Sequence, residues 1–374
     1  MLDRIKSKSV LKIIFRYIEK NRYLYIIKNN KKLQQRLDIS LDTYKEYYNQ
    51  MEIEIIPKKT DNKINKFIND DKIDIKVFFN SDYTEVNRNY FEDKEDISKI
   101  RVIIDVKDKQ KLSALFSSCK CIEKIKFIHY AQYNLTDIDY MFFNCVSLIS
   151  ADISRLKLDN VENISYLFTQ CTSLKEIFFP KNELENFKNM EYMFYNCNSL
   201  EKIDLYNFHT SNVQNMHGLF GKCSSLKEIN VSHFDTSNVT NMEFMFQECA
   251  LLQELDLSKF KTKNVTSMVG MFKGCTSLKK LKVDNFDTKH VYAMTNMFSE
   301  CSSLVSLNLE NWKTDGLYSM SEMFSKCHSL TELNISRLNL KNVKDMEGAF
   351  RFCSEMLINQ VKMQNKGLKE SAFK

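Results

Sequence analysis

Cysteine is the residue type in this chain whose spacing points most directly to chemistry. Of the 11 cysteines in 374 residues, ten recur at intervals of 26 residues, from Cys119 to Cys353. A regular series of thiols could bind metal or form disulfides, but zinc sites place their ligands about two to four residues apart on a local turn. Cys121 lies outside the series, and its Cys-x-Cys pair with Cys119 is weak evidence for a metal. Because the series falls on an apolar pattern, we predict buried, reduced thiols, no metal and no cofactor.

The histidine and acidic residues do not form a catalytic pattern in the sequence. His129 and His233 share one position of the repeated unit, and the other four histidines occupy different positions. Asp152, Asp204 and Asp256 recur at one outward position, where a solvated binding surface explains them better than a catalytic carboxylate pair. The chain also lacks a nucleophile motif, a phosphate-binding glycine loop and a metal motif. The sequence therefore predicts a protein that is not an enzyme.

The elements that carry these residues repeat with the same period of 26 residues, which is typical of a solenoid. A phenylalanine stands three positions before each of the ten cysteines, from Phe116 to Phe350. Each unit opens with a short alternation of apolar and polar residues, which predicts a strand, and continues with apolar residues three and four apart, which predicts a short helix. Asn238 and its equivalents are then expected to be helix N-caps. The predicted fold is an α/β solenoid with parallel strands on a concave face and short helices on a convex face.

The repeat resembles a known family. The segment Leu252-x-x-Leu255-x-Leu257-x-x-Phe260 is similar to a leucine-rich repeat in which phenylalanine replaces the usual asparagine. The longer pattern that ends at Leu252 resembles the BspA-like leucine-rich repeat proteins, and the similarity extends over residues 110–358. This family includes bacterial surface adhesins and protist proteins, so the resemblance implies binding to proteins or surfaces. The chain resembles the protist-type, intracellular members because we predict no secretory signal.

Charge and hydropathy limit the compartment and the partners. Residues 1–50 hold 12 Lys/Arg and 5 Asp/Glu, so this segment is basic. The apolar stretch from Val10 to Ile18 is interrupted by Lys12 and Arg16, which argues against a signal peptide. No apolar run approaches the ~20 residues of a membrane span. We predict a cytoplasmic monomer without stable membrane insertion.

Four regions are expected along the chain. Residues 1–57 form a basic helical N-terminal region, 58–108 a linker and strand-containing cap, 109–358 the solenoid, and 359–374 a polar C-terminal tail. The pattern Val10-Leu11-x-x-Ile14-Phe15-x-x-Ile18 resembles the start of an F-box, a helical module that couples leucine-rich repeats to a ubiquitin ligase. The Leu-Pro that usually precedes the F-box pattern and the Trp that follows it are missing here.

The outward strand positions are the predicted recognition surface, because only the inward positions of a repeat protein are determined by packing. Their mixed charge argues against nucleic acid, which needs a coherent basic stripe. We predict a non-catalytic scaffold that binds a protein partner, with an F-box-like ligase subunit that docks through residues 8–40, or a surface adhesin, as alternatives. Two aromatic residues in the set could be interface anchors or ordinary edge packing. The predicted contact residues are Phe178, Lys202, Asp204, Tyr206, Glu228, Asn230, Glu254, Asp256, Lys280, Lys282, Asn308, Glu332 and Asn334.

Overall fold

The computed structural model describes residues 5–11, 30–38, 49–60, 63–70, 73–106, 111–129 and 135–374. The predicted repeat solenoid is confirmed. Isolated parallel bridges join residues 26 apart on successive coils, as in Asn189 with Asn215 and Asn215 with Asn241. The same position is bridged from coil to coil as far as Asp345, so every turn of the chain advances by one repeat.

The described part of the N-terminal region contains two short helical segments and five strands. Residues 8–11 are helical, and α1 begins after Asn30, whose side chain accepts a hydrogen bond from the Leu33 N–H at 3.1 Å. The F-box-like pattern lies mostly outside the described residues, which include only 8–11 and 30–38 of the segment 8–40. The elements are α1 (Lys31–Leu37), β1 (Gln50–Pro57), β2 (Ile64–Lys66), β3 (Ile75–Phe79), β4 (Tyr90–Glu92) and β5 (Ile100–Asp105).

One sheet joins this region to the first coils of the solenoid. The strands β6 (Ile122–His129), β7 (Ser150–Asp152) and β8 (Glu176–Phe178) recur with the repeat and pair in parallel. Strand β1 lies antiparallel between β5 and β6, and the sheet has the order β3-β5-β1-β6-β7-β8. Strands β2 and β4 form a separate antiparallel pair. The open end of the solenoid is therefore covered by strands that continue its own sheet.

The later coils carry shorter strand pairs. Strands β9 (Glu254–Asp256) and β10 (Lys280–Lys282) pair in parallel, as do β11 (Ser306–Asn308) and β12 (Glu332–Asn334). In each of these four strands the central leucine is buried and both neighbours are exposed. The two coils between β8 and β9 place residues 202–204 and 228–230 at the equivalent positions without strand pairing.

The second half of each coil differs from the predicted short helix, because it is a series of tight turns. Two residues of each coil, such as Tyr166 and Gln170, have left-handed backbone angles, with φ of 58° and 62°. Such residues interrupt a right-handed helix. Some N–H groups instead bond across coils, as from Phe168 to the Met193 carbonyl at 2.9 Å, and others close turns within the coil, as from Cys171 to the Phe168 carbonyl at 3.0 Å. Likewise Asn238 caps no helix, and its Nδ2 donates to the Ser211 carbonyl of the preceding coil at 2.7 Å.

Stacked phenylalanine rings form the centre of the core. From Phe116 to Phe350, neighbouring rings of this series lie 5.2 to 6.0 Å apart between centroids and are close to parallel. Each coil alone would expose its ring, so burial of the rings depends on the neighbouring coils.

The last coil is covered by the residues predicted as a polar tail. Helix α2 (Glu355–Gln364) begins at Ser354, whose hydroxyl accepts the Leu357 N–H at 3.3 Å. A 3-10 helix (Glu370–Phe373) follows, and its Phe373 ring stacks on Phe350 at 5.9 Å. The Phe350 N–H donates to the Ala372 carbonyl at 2.7 Å. This segment therefore supplies one more ring and two backbone acceptors to the last coil, since the Gly348 N–H also donates to the Ser371 carbonyl at 2.8 Å.

Candidate functional site

The cysteine series is part of the core. Each of these thiols is buried except that of Cys353, which is partly exposed. From Cys145 onward, each Sγ donates to the backbone carbonyl of the phenylalanine 29 residues earlier, at 3.0 to 3.2 Å. Cys121 is also buried and donates to the Lys66 carbonyl at 3.1 Å. Burial raises the pKa of the Cys223 and Cys275 thiols to about 12, so these groups stay protonated at neutral pH.

The exposed surface formed by the outward strand positions is called the strand face below. It comprises the outward residues of β6 to β12 and of residues 202–204 and 228–230 between them. Side chains alternate between the two sides of a strand, so the buried central residue of each strand aims its neighbours at solvent. All 13 predicted contact residues are exposed on this face or directly beside it.

The strand face continues into the N-terminal sheet, a continuation that no sequence pattern indicated. Strand register aligns one outward residue from each of six strands across the sheet. The Arg101 guanidinium lies 4.4 Å from the centroid of the Phe78 ring, and Lys126 Nζ lies 3.3 Å from an Asp152 oxygen. Alternation within β1 and β5 was the available sequence signal, but it did not reveal which strands would be neighbours. The row reads Phe78, Arg101, Glu54, Lys126, Asp152 and Phe178.

Four of the 13 predicted residues pair with each other across coils. Lys280 Nζ lies 2.6 Å from a Glu254 oxygen, and Lys282 Nζ lies 2.6 Å from an Asp256 oxygen. The hydrogen bond from Lys282 holds the pKa of Asp256 well below its usual value. Exposed ion pairs of this kind contribute only about 0 to 1 kcal/mol to stability. They do, however, neutralise this part of the strand face before any partner arrives.

The recurring Asp and Asn residues of the strand face close a turn. The side-chain oxygen of Asp204 accepts the N–H of Tyr206 at 3.0 Å, and that of Asn230 accepts the N–H of Ser232 at 3.0 Å. Asp256, Asn308 and Asn334 bond in the same way to the residue two positions later. This is an Asx-turn, and it explains why one position is restricted to Asp or Asn in these coils.

Two aromatic side chains project from the strand face. Phe178 is 51% exposed and Tyr206 is 76% exposed. The next residue after Phe178, Phe179, points the other way and packs against Phe208 with ring centroids 4.9 Å apart. The Tyr206 ring lies 6.2 Å from that of His233. Both aromatic side chains are therefore largely exposed, and a role as interface anchors stays a prediction.

A polar cluster on the turn side of the solenoid joins three coils. His217 Nε2 lies 2.7 Å from the Tyr192 hydroxyl, and its Nδ1 lies 3.6 Å from a Glu243 oxygen. No sequence pattern indicated this contact, because the three residues lie on different repeats. The His217 ring also packs between those of Tyr192 and Phe244, at 4.6 and 5.5 Å. We interpret the cluster as a structural link between coils.

Neither a metal site nor a membrane-spanning helix is present among the described residues. The described part of the chain brings no three His, Cys, Asp or Glu side chains together in a way that could hold a metal ion. Among the described residues, no helix has the length and apolar content needed to cross a bilayer.

Comparison with solved structures finds leucine-rich repeat proteins of low sequence identity. One, from Eubacterium ventriosum ATCC 27560, is 17% identical with a TM-score of 0.33, and the match covers 61% of this chain and 64% of that one, less than two thirds of its length. Another, from Bacteroides ovatus ATCC 8483, is 18% identical with a TM-score of 0.25 and coverage of 62% and 76%. A leucine-rich cell surface protein from Faecalibacterium prausnitzii A2-165 is 14% identical with a TM-score of 0.23 and coverage of 54% and 79%.

The family comparison covers more of the chain. Among curated proteins, a sequence comparison finds no match. The family model described as "Mycoplasma protein of unknown function, DUF285" matches residues 84–203, 110–228, 188–282 and 277–371. These segments overlap and follow the coils from the N-terminal sheet to the C-terminal cap. The chain therefore belongs to the DUF285 family of repeat proteins.

Proposed function

We propose that this chain is a non-catalytic scaffold that binds a protein partner across its strand face. The observation that carries this proposal is the continuity of that face. Six strands align their outward side chains in one register, with the exposed Phe178 at one end of the row and Phe78 at the other. Extended surfaces of this kind are the binding surfaces that stacked repeats offer.

The chemistry of the strand face fits a protein better than a nucleic acid. Positive and negative side chains alternate along the aligned row, whereas nucleic acid requires a coherent positive stripe. Phe178 and Tyr206 supply the large, exposed apolar area that anchors protein interfaces. Because Glu254, Asp256, Lys280 and Lys282 neutralise each other, we place the centre of the interface near the two aromatics.

We also propose that the protein acts in the cytoplasm, like the intracellular protist-type members of the BspA-like group. The support for this location is the cysteine series. Its thiols donate hydrogen bonds and can do so only while they are reduced, and the cytoplasm is a compartment that keeps thiols reduced. Surface labelling of intact cells tests the location, and labelling of the native protein there would contradict it.

The binding proposal is tested with the full chain as bait. Partners captured from the native cell are identified by mass spectrometry, and the interaction with the purified partner is then measured. We expect Phe178→Ala with Tyr206→Ala to weaken binding at least about tenfold, because exposed aromatics dominate such interfaces. Met363→Ala is the matched control, since Met363 is 74% exposed but lies on α2 at the end of the chain. Unchanged binding by the double variant would show that the strand face near the two aromatics is not the interface.

A further inference from the structure

Asparagine side chains link successive coils at one edge of the solenoid. Asn212, Asn238 and Asn264 each donate from Nδ2 to the main-chain carbonyl 27 residues earlier, at 2.9, 2.7 and 2.7 Å. Asn186 and Asn342 make the same bond in other coils. In each case the side chain satisfies a carbonyl group of the preceding coil.

This asparagine is replaced in two consecutive coils by His290 and Gly316. The carbonyls that asparagines would reach there are those of Lys263 and Lys289, and neither accepts a hydrogen bond from the described residues. A Cβ atom added at Gly316 would lie 3.3 Å from the Lys289 oxygen, so this carbonyl lies directly beside the position without a side chain. Two neighbouring acceptors are thus left to water or to a donor from another molecule.

The same two coils carry exposed tyrosines two residues further along. Tyr292 and Tyr318 are 53% and 59% exposed. The Tyr318 N–H donates to the Tyr292 carbonyl at 2.9 Å, which holds the two residues on adjacent coils. The equivalent residues of the other described coils are polar or charged, as in Thr266 and Lys344. The interruption of the asparagine series therefore coincides with a pair of aromatic side chains of the kind that anchor interfaces.

The surroundings of the tyrosine pair are basic. Two aspartates at this edge are engaged within the chain: Asp315 accepts from Asn339 Nδ2 at 2.7 Å, and Asp287 accepts from a backbone N–H at 3.2 Å. Hydrogen bonds from an amide and a backbone N–H leave both carboxylates charged, but the exposed lysines outnumber them, so an acidic partner would meet a net positive charge. The exposed lysines at this edge are Lys263, Lys289, Lys313, Lys341 and Lys344.

We propose that this edge, hereafter the tyrosine edge, is a docking site for an acidic, extended protein segment. Tyr292 and Tyr318 would contact apolar side chains of the segment, and the lysines would attract its carboxylates. Its N–H donors, from the main chain or from Asn and Gln side chains, would bond to the Lys263 and Lys289 carbonyls. The site is separate from the strand face, so it adds a second partner surface to the proposed scaffold.

Single-stranded nucleic acid is the competing occupant, because lysines and tyrosines also suit phosphates and bases. The two open carbonyls favour a peptide. The DNA backbone carries no hydrogen-bond donor, because its phosphate and sugar ether oxygens only accept and its donors lie on the base edges, whereas every peptide unit other than proline carries an N–H donor in the backbone itself.

The test uses the full chain and three probes. The first is a displayed peptide library with Glu or Asp at every third position, the second is a matched library with Lys at those positions, and the third is an oligothymidylate. Peptides enriched by the wild-type chain are then measured by fluorescence anisotropy at low salt and at about 0.5 M salt. One double variant, Tyr292→Thr with Tyr318→Thr, removes the anchors. Another, His290→Asn with Gly316→Asn, restores the asparagine series that five other coils already use.

We expect the acidic library to yield binders that weaken in high salt. Each double variant should lose at least about tenfold in affinity for them, while the asparagine variant keeps the thermal unfolding midpoint of the wild type or exceeds it. Phe178→Ala with Tyr206→Ala should bind these peptides normally, which separates this site from the strand face. The proposal is overturned if the acidic library gives no more binders than the basic one, if binding survives the asparagine variant, or if the oligothymidylate binds more tightly than the peptides.

Discussion

The thiol of Cys249 donates its hydrogen to the carbonyl oxygen of Phe220 in the preceding coil, with 3.2 Å between sulfur and oxygen. This contact gives the cysteine two roles, since the side chain fills a small volume in the core and also gives a second donor to a buried carbonyl that accepts the Cys223 N–H at 3.1 Å. Serine would bring a smaller, more polar group, and alanine would bring no donor. The repeated choice of cysteine therefore follows from packing and hydrogen bonding together.

We expect Cys249→Ala to destabilise the protein by about 1 to 3 kcal/mol, because it leaves the Phe220 carbonyl without its thiol donor and opens a small cavity. Urea unfolding followed by circular dichroism measures the change. Cys353→Ala is the matched control and should cost less, because Cys353 is partly exposed in the last coil. Equal stability of Cys249→Ala and the wild type would argue that the thiol bond contributes nothing.

We expect the free energy of unfolding to decrease at alkaline pH, because burial favours the protonated form of the thiols. Burial raises the pKa of Cys223 and Cys275 to about 12, from an ordinary value of 9.0. The unfolded chain therefore loses these protons first as pH rises, so stability is fully present below about pH 9 and falls between about pH 9 and 12, by up to ~1.4 kcal/mol per thiol per pH unit. The denaturation midpoint measured across this pH range should decrease accordingly.

Labelling with a thiol reagent checks the same burial at neutral pH. The native protein should react slowly at the buried cysteines, and the urea-unfolded chain should react at all 11. Fast labelling of the native chain at several sites would contradict the burial of the series.

Phe246 lies between the rings of Phe220 and Phe272, at centroid distances of 5.6 and 6.0 Å. We expect Phe246→Ala to destabilise by ~3 to 5 kcal/mol, because the cavity is shared by three coils and can collapse only in part. Phe178→Ala replaces the same residue type at an exposed site and should change the free energy of unfolding by less than about 0.5 kcal/mol. If Phe246→Ala lowered the free energy of unfolding by less than ~1 kcal/mol, Phe246 would not belong to the core.

Asp256 allows the turn and the ion pair to be separated. Asp256→Asn keeps an oxygen for the Ser258 N–H and loses the charge that faces Lys282, so we expect stability to stay within about 0.5 kcal/mol. Asp256→Ala loses both contacts and should cost about 1 kcal/mol. Thermal unfolding of the two variants side by side makes the comparison. If Asp256→Asn destabilised the protein as much as Asp256→Ala, the ion pair rather than the turn would be the reason for an acidic residue at this position.

The sequence by itself determined the period, the inward series and the solenoid, because a spacing of 26 residues repeated from Cys119 to Cys353 leaves one way to bury equivalent side chains. It also placed the 13 predicted contact residues at exposed positions. The tertiary structure decided how the second half of each coil is built. Apolar residues three and four apart suit a helix, but they equally suit tight turns whose N–H groups bond to the next coil, and that choice depends on the neighbour.

Contacts between residues distant in sequence were likewise decided only by the fold. The antiparallel pairing of β1 with β6 extends the strand face into the N-terminal sheet, and no local pattern reveals which strands become neighbours. Phe373 stacks on Phe350 although it lies outside the 26-residue register, so the C-terminal segment reads as a polar tail in sequence and acts as a cap in space. The physical reason is the same in each case: a side chain or an N–H group acquires its partner from another coil, and the composition of its own segment does not specify that partner.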